Sequence, residues 1–122
     1  MAKTAIYYQD KRGKKPVKEF INKLDVHTRA KVLASTNFLC DNWKELKRPI
    51  VEYLGDDLYE LRVQFSSNNV RVFYGYMFKD YIVLLHGILK KTSKISENDK
   101  LKAKKRMIDF QIQYNEGKIK LK

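Results

Sequence analysis

LYELRVQFSSNNVRVFYGYMFKDYIVLLHGILKKT, residues Leu58 to Thr92, is the stretch that decides the fold. β-Branched and aromatic residues dominate three segments within it, and this composition predicts three consecutive antiparallel strands. The predicted strands are Leu58 to Phe65, Val70 to Phe78 and Tyr81 to Lys91. The segments between them, Ser66-Ser67-Asn68-Asn69 and Lys79-Asp80, have the composition and length of hairpin loops.

The hairpin loops also predict the register of the strands. If the loops set the pairing, Phe65 lies opposite Val70, and Phe78 lies opposite Tyr81. Counting along the strands then gives two rows of neighbours: Arg62 with Phe73 and His86, and Gln64 with Arg71 and Ile88.

Alternation of side chains divides these strands into an apolar face and a basic face. The apolar face is expected to form the core and carries Tyr59, Leu61, Val63, Phe65, Val70, Val72, Tyr74, Tyr76, Val83, Leu85 and Leu89. The basic face carries Glu60, Arg62, Gln64, Arg71, Phe73, His86, Ile88 and Lys90. A slip of one residue would disperse this second group, so its existence depends on the register.

The residues before this stretch predict a strand and two helices. Ala5 to Gln9 is a short β-prone run, and Pro16 begins a helix whose apolar residues follow helical spacing. A second helix is expected from Thr28 to about Leu46, and it should form a hairpin with the first against the apolar face of the sheet. Residues Lys47 to Asp56 show no period and are interpreted as a connection.

A final helix is predicted from Glu97 to about Glu116, with Ser96 and Asp99 forming an N-cap signal. Its expected apolar contacts include Leu101, Ile108 and Ile112. The predicted fold is therefore α+β. It consists of a small, mainly antiparallel four-stranded sheet in the order β-α-α-β-β-β-α, with a helical hairpin on one face, as one domain over residues 1–122.

Charge restricts the classes of partner. The chain has 122 residues with 26 Lys and Arg against 14 Asp and Glu, a net charge of +12. Such an excess attracts polyanions, either nucleic acid or an acidic protein, although a merely solvated basic surface is the simpler alternative. No apolar run reaches the roughly 20 residues of a membrane span, and no signal peptide is recognisable, so a cytoplasmic location is expected. The single Cys40 is expected to be a buried packing residue.

The basic face suits cleavage of RNA without a metal or other cofactor. In that reaction the ribose 2′-hydroxyl attacks its own phosphate, which requires proton transfer and cations around the developing negative charge. His86 has the natural pKa for proton transfer, and Arg62 and Arg71 can each grip phosphate oxygens. Lys90 and Lys91 add positive potential. The acid and the base are left unassigned.

A purely structural interpretation of the same residues is also open. In that interpretation Arg62 pairs with Glu60 or another nearby acid, His86 is a hydrogen-bonded core residue, and Lys90 and Lys91 only end a strand.

The order of elements and three motifs resemble the RelE/ParE toxin superfamily, and within it the phage-derived HigB-like branch. The motifs are Asp57-Leu58-Tyr59-Glu60-Leu61-Arg62, Arg71-Val72-Phe73-Tyr74 and Leu84-Leu85-His86-Gly87-Ile88-Leu89-Lys90-Lys91-Thr92-Ser93-Lys94. Ala103, Arg106 and Asp109 fit the helical tail of that branch. The resemblance implies a RelE-like fold and the toxin of a type II toxin–antitoxin system. Such a toxin cleaves mRNA, typically on the ribosome, and arrests growth until a cognate antitoxin, commonly a helix-turn-helix protein, occupies it.

By position in the motifs, the resemblance implies catalytic roles for Arg62, Arg71, His86 and Lys90. Further basic residues are expected to bind RNA without contributing to the chemistry: Lys91, Lys94, Lys102, Lys105 and Arg106. Two alternatives remain. One is a non-enzymatic inhibitor of DNA gyrase of the ParE type, and the other is an RNA-binding module without cleavage activity.

Overall fold

The computed structural model describes residues 2–90 and 96–121 and has the expected α+β class. Within those residues the elements are β1 (Thr4–Tyr7), α1 (Pro16–Asn22), α2 (Val26–Asn42), β2 (Val51–Gly55), β3 (Leu58–Phe65), β4 (Asn68–Met77), β5 (Tyr81–Lys90) and α3 (Glu97–Asn115). In the same part of the chain, every helix is too short or too polar to cross a membrane.

The sheet has five strands and is mixed, so the prediction of a four-stranded, mainly antiparallel sheet was wrong in detail. The strand order is β1-β5-β4-β3-β2, with β1 parallel to β5 and the other neighbours antiparallel. The missed strand is β2, which lies in the segment interpreted as a connection. Its five residues end at Gly55 and are too few to show a period, and it forms because β3 offers an edge to pair with.

The register of the first hairpin is shifted by two residues from the prediction. Phe65 pairs with Asn68 and not with Val70, because the chain reverses over Ser66 and Ser67 alone, with Ser66 at a φ of 56°. A shift of two residues keeps each side chain on its face. The predicted division into two faces therefore holds across β3 and β4.

A bulge changes the faces along β5. Phe73 lies opposite His86, as predicted, but Tyr74 lies opposite Leu84, so that Leu85 is an extra residue in the strand. Val83 and Leu85, which were predicted to face the first two helices, consequently pack against the other side of the sheet.

Helices α1 and α2 cover one face of the sheet, as predicted, over an apolar core. Its largest fully buried side chains come from both layers: Ile21, Leu39, Leu61, Tyr74 and Ile82. Asp25 caps α2 by accepting hydrogen bonds from the backbone N–H groups of His27 and Thr28. Cys40 is buried in this core, as predicted. At Gly87 a Cβ atom would overlap the ring of Phe20, so α1 approaches the sheet where a side chain is absent.

Helix α3 covers the opposite face, over β4 and β5. The prediction of its buried side was wrong, since Leu101, Ile108 and Ile112 are 48%, 49% and 45% exposed. The helix instead buries Ala103, Phe110 and Gln113 against the sheet. It presents polar residues to a polar part of the sheet, and hydrophobic periodicity cannot detect that arrangement.

Candidate active site beneath the third helix

His86 lies on β5 beneath the first turn of α3. Its side chain is 11% exposed, and its Nε2 atom lies 2.8 Å from Oδ1 of Asp99 on α3. Its ring packs against Phe73, with ring centroids 5.5 Å apart. The imidazole is therefore held between the sheet and the helix by one polar and one apolar contact.

Asp99 is oriented by the residue that begins its helix. The Ser96 hydroxyl donates to Oδ2 of Asp99 at 2.6 Å, and the Asp99 backbone N–H donates to the Ser96 hydroxyl oxygen. Burial alone would raise the pKa of Asp99, but the hydrogen bonds from Ser96 and His86 outweigh it, and the pKa is lowered. Asp99 is thus an ionised carboxylate fixed on one nitrogen of His86.

Arg106 occupies the other nitrogen of His86. Its Nη1 atom donates to the Leu85 carbonyl at 2.8 Å and lies 3.4 Å from Nδ1 of His86. A guanidinium can only donate, so Nδ1 carries the lone pair and Nε2–H donates to Asp99. Burial lowers the pKa of His86, the bond to Asp99 opposes this, and the charges of Arg106 and Lys102 add to the lowering. The site therefore favours neutral imidazole.

A second polar group lies one row further along the same face. The carboxylate of Glu60, which is fully buried, accepts from Nε of Arg62 at 2.7 Å, and Glu52 accepts from Nη2 of Arg62 at 2.5 Å. The hydrogen bond to Glu60 is the main reason that the pKa of Arg62 is raised. Arg62 is accordingly committed to two carboxylates.

Arg71 is held less tightly. Its Nε atom lies 3.9 Å from Oε2 of Glu60, and in the described structure neither of these buried atoms has a hydrogen-bond partner. The side chain is 14% exposed. A buried donor without an acceptor is costly, so the Arg71 guanidinium retains hydrogen-bonding capacity that an anionic ligand can satisfy.

The structure places Arg62, Arg71 and His86 on one face, as predicted, but in different rows. Arg62 lies opposite Arg71 and Ile88, whereas Glu60 lies in the row of Phe73 and His86. Arg71 and His86 are thus diagonal neighbours, with Cα atoms about 7–8 Å apart by sheet geometry. The face is not fully solvated, as had been expected for the arginines, because α3 covers part of it.

The predicted lysines are distributed around this site. Lys90, at the end of β5, lies close enough to Asp99 to lower its pKa, and Lys102 does the same to His86. Lys102 and Lys105 are exposed on α3, whereas Arg106 is half-buried and already bonded. Lys91 and Lys94 lie outside the described residues.

Residues 19–108 match the family model described as phage derived protein Gp49-like (DUF891). The chain belongs to this family. It is a RelE-like toxin family that occurs in toxin–antitoxin contexts. None of the curated proteins compared with the chain matches it.

The Gp49-like segment contains the whole candidate site, from Glu52 to Arg106. Sequence reasoning missed Asp99 and Glu60 as members of that site. Asp99 was recognised only as part of a helix cap, although a carboxylate in the first turn has a second oxygen for another partner. Glu60 gave a weaker signal, its place between the strand residues Tyr59 and Leu61. Within residues 2–90 and 96–121, no group of three or more His, Cys, Asp or Glu side chains could hold a metal ion.

Proposed function

We propose that this Gp49-like protein is the HigB-like toxin of a type II toxin–antitoxin system and acts as a metal-independent endoribonuclease on mRNA at the ribosome. The family supports a toxin, and the net charge of +12 suits a polyanionic substrate. The observation that carries the proposal is the His86–Asp99 pair at 2.8 Å, on the same sheet face as Arg71.

The proton transfer is assigned to His86. Nδ1 carries the lone pair and accepts the proton of the ribose 2′-hydroxyl, while Nε2–H remains bonded to Asp99. The 2′-oxygen then bonds to phosphorus, the bond to the 5′-oxygen breaks, and the leaving oxygen takes up a proton. The products are a 2′,3′-cyclic phosphate and a 5′-hydroxyl. Asp99 stabilises the imidazolium that forms and fixes the ring, as a carboxylate does in hydrolytic triads.

Substrate phosphate is assigned to Arg71 and Arg106. Arg71 has an unsatisfied Nε–H, and Arg106 lies against the nitrogen that must become available. A phosphate that draws Arg106 away from Nδ1 would free the base at the moment that the substrate binds. Arg62 contributes indirectly, because it neutralises Glu60, whose negative charge would otherwise repel the phosphate.

The test is to induce the chain in cells, map new 5′ ends of mRNA and measure plasmid supercoiling. New 5′-hydroxyl ends within reading frames, with normal supercoiling, are expected. Altered supercoiling without new ends would instead support the ParE-type gyrase inhibitor and overturn the proposal.

The chain provides a matched control for this experiment. His86→Gln should abolish the new ends, whereas His27→Gln should not, because His27 lies at the start of α2, stacked on Phe65. Equal cleavage by both variants would exclude His86 as the proton-transfer residue.

A further inference from the structure

Strand β3 has an open edge over its second half. β2 pairs with β3 only as far as Leu61, and one more hydrogen bond, from the Arg62 N–H to the Ile50 carbonyl at 2.8 Å, ends the ladder. Backbone groups alternate between the two edges of a strand, so the N–H and C=O of Gln64 point the same way as those of Arg62. Within the described residues, no strand pairs with this side of β3 beyond Leu61.

A groove of about 410 Å³ lies beside this open edge. One wall is α2, through Lys31, Ala34 and Phe38, and Ile50 and the backbone around Gln64 form the rest. Phe38 and Ile50 are 52% and 42% exposed, so large apolar side chains face solvent next to unpaired backbone groups. Natural proteins usually protect such an edge, because it offers a template for another strand.

We propose that this groove docks an extended, acidic segment of a partner protein, which adds to the sheet as a strand beside Gln64. The inference goes beyond the proposed function and holds whether or not the chain cleaves RNA. Main-chain hydrogen bonds to the open edge provide the affinity, and alternate side chains provide the specificity.

The two faces of the sheet specify the composition of the added strand. Side chains next to Val63 enter the groove between α2 and Ile50 and must be apolar. Those next to Arg62 and Gln64 lie on the opposite face, beside the arginines of the candidate site, and are favoured when acidic. No acidic residue is among those that line the groove, and Lys31 stands at its rim. The segment that fits therefore alternates acidic and apolar residues.

The test uses the isotope-labelled full chain and a short synthetic peptide of alternating glutamate and valine, followed by NMR. Saturable shifts are expected at the amides of Val63, Gln64 and Phe65, together with slowed hydrogen exchange at Gln64. A peptide with lysine in place of glutamate should bind at least about tenfold more weakly, because the groove and its neighbouring face are basic.

Two acidic substitutions provide a matched comparison. Phe38→Asp should weaken peptide binding by about tenfold or more, since it places a carboxylate in the groove. Ile108→Asp changes an apolar residue of similar exposure on α3 and should leave binding unchanged. Gln64→Pro removes the outward N–H, which an edge strand can lose without losing a ladder bond, and it should also abolish binding.

Three results would overturn the proposal: no saturable shifts, equal binding of the lysine peptide, or equal weakening by Phe38→Asp and Ile108→Asp. Slowed exchange at Gln64 that depends on protein concentration without peptide would also overturn it, because the edge would then pair with a second copy of the chain. None of these measurements involves RNA, so their failure is distinct from failure of the proposed function.

Discussion

The two faces of the sheet are covered by helices in different ways. The face under α1 and α2 is closed by interlocking apolar side chains, and its buried polar groups, such as Thr36, bond locally within their own helix. The face under α3 holds Glu60 and His86 at or near full burial, with their partners supplied by distant elements. Buried charge costs stability unless it is paired, so residues of this kind are typical of functional sites.

The difference shows how one small sheet can separate stability from chemistry. Apolar packing is tolerant of detail and gains free energy with area. Polar groups require a particular geometry, and the bulge at Leu85 and the cap at Ser96 provide it for His86 and Asp99. We expect substitutions on the first face to change folding, and substitutions on the second face to change activity.

The largest effect on folding is expected from Leu39→Ala on the first face. Leu39 is fully buried, and its truncation should lower the free energy of unfolding by about 2–5 kcal/mol. Urea denaturation measures this change. Cleavage per folded molecule should be unaltered, and a drop in that rate would show that the two faces are not independent.

The largest effect on activity is expected from Arg71→Lys on the second face. Lysine keeps the positive charge beside Glu60 but loses the guanidinium fork, so the cleavage rate should fall by about 10²–10³. The exposed Arg48→Lys serves as the control, because Arg48 pairs only with Glu52 at the surface. If both variants cleave RNA equally well, Arg71 does not hold the phosphate.

Arg62→Ala should mix the two effects, contrary to the sequence-based expectation that Arg62 can be removed without unfolding. Its loss leaves the buried Glu60 with only the distant Arg71, at a cost of about 3 kcal/mol, the lower end for breaking a buried pair. Adding Glu60→Gln should restore part of the lost stability, as a urea titration of the double variant would show. Stability of Arg62→Ala equal to that of the parent would argue against a structural role for the ion pair.

A smaller effect is expected from pH. The pKa of His86 is lowered, so the unfolded chain binds a proton at a higher pH than the folded chain does. The free energy of unfolding should therefore fall as the pH drops from about 6.5 through the lowered value. Asp99 and Asp25, whose pKa values are also lowered, lose their contribution only at more acidic pH. His86→Gln should flatten the first decline, whereas His27→Gln should not.

The smallest effect is expected at the exposed lysines of α3. Replacing Lys102 and Lys105 by glutamine should lower the salt dependence of RNA binding, by a slope of roughly 0.7 for each phosphate contact, without changing cleavage at saturating RNA. Lys18 and Lys23, at exposed positions of and just after α1, are matched control sites. An unchanged slope would leave the lysines as a solvated helix face.

Sequence alone determined the strand content around Leu58 to Lys90, the alternation of its faces and the caps of α3, because these depend on residues close together in the chain. It also brought Arg62, Arg71 and His86 to one face, since a two-residue error in register preserves alternation. The resemblance to a toxin superfamily rested on the same strand motifs.

Only the tertiary structure decided which partners these residues have. It paired β2 with β3, moved Val83 and Leu85 to the α3 face through a bulge, and set Asp99 and Arg106 on the two nitrogens of His86. The buried side of α3 could not be read from its apolar residues, because that side carries Asp99, Arg106 and Gln113. Hydrophobic patterns report which residues avoid water, whereas a polar site is specified by pairs that form only when distant segments meet.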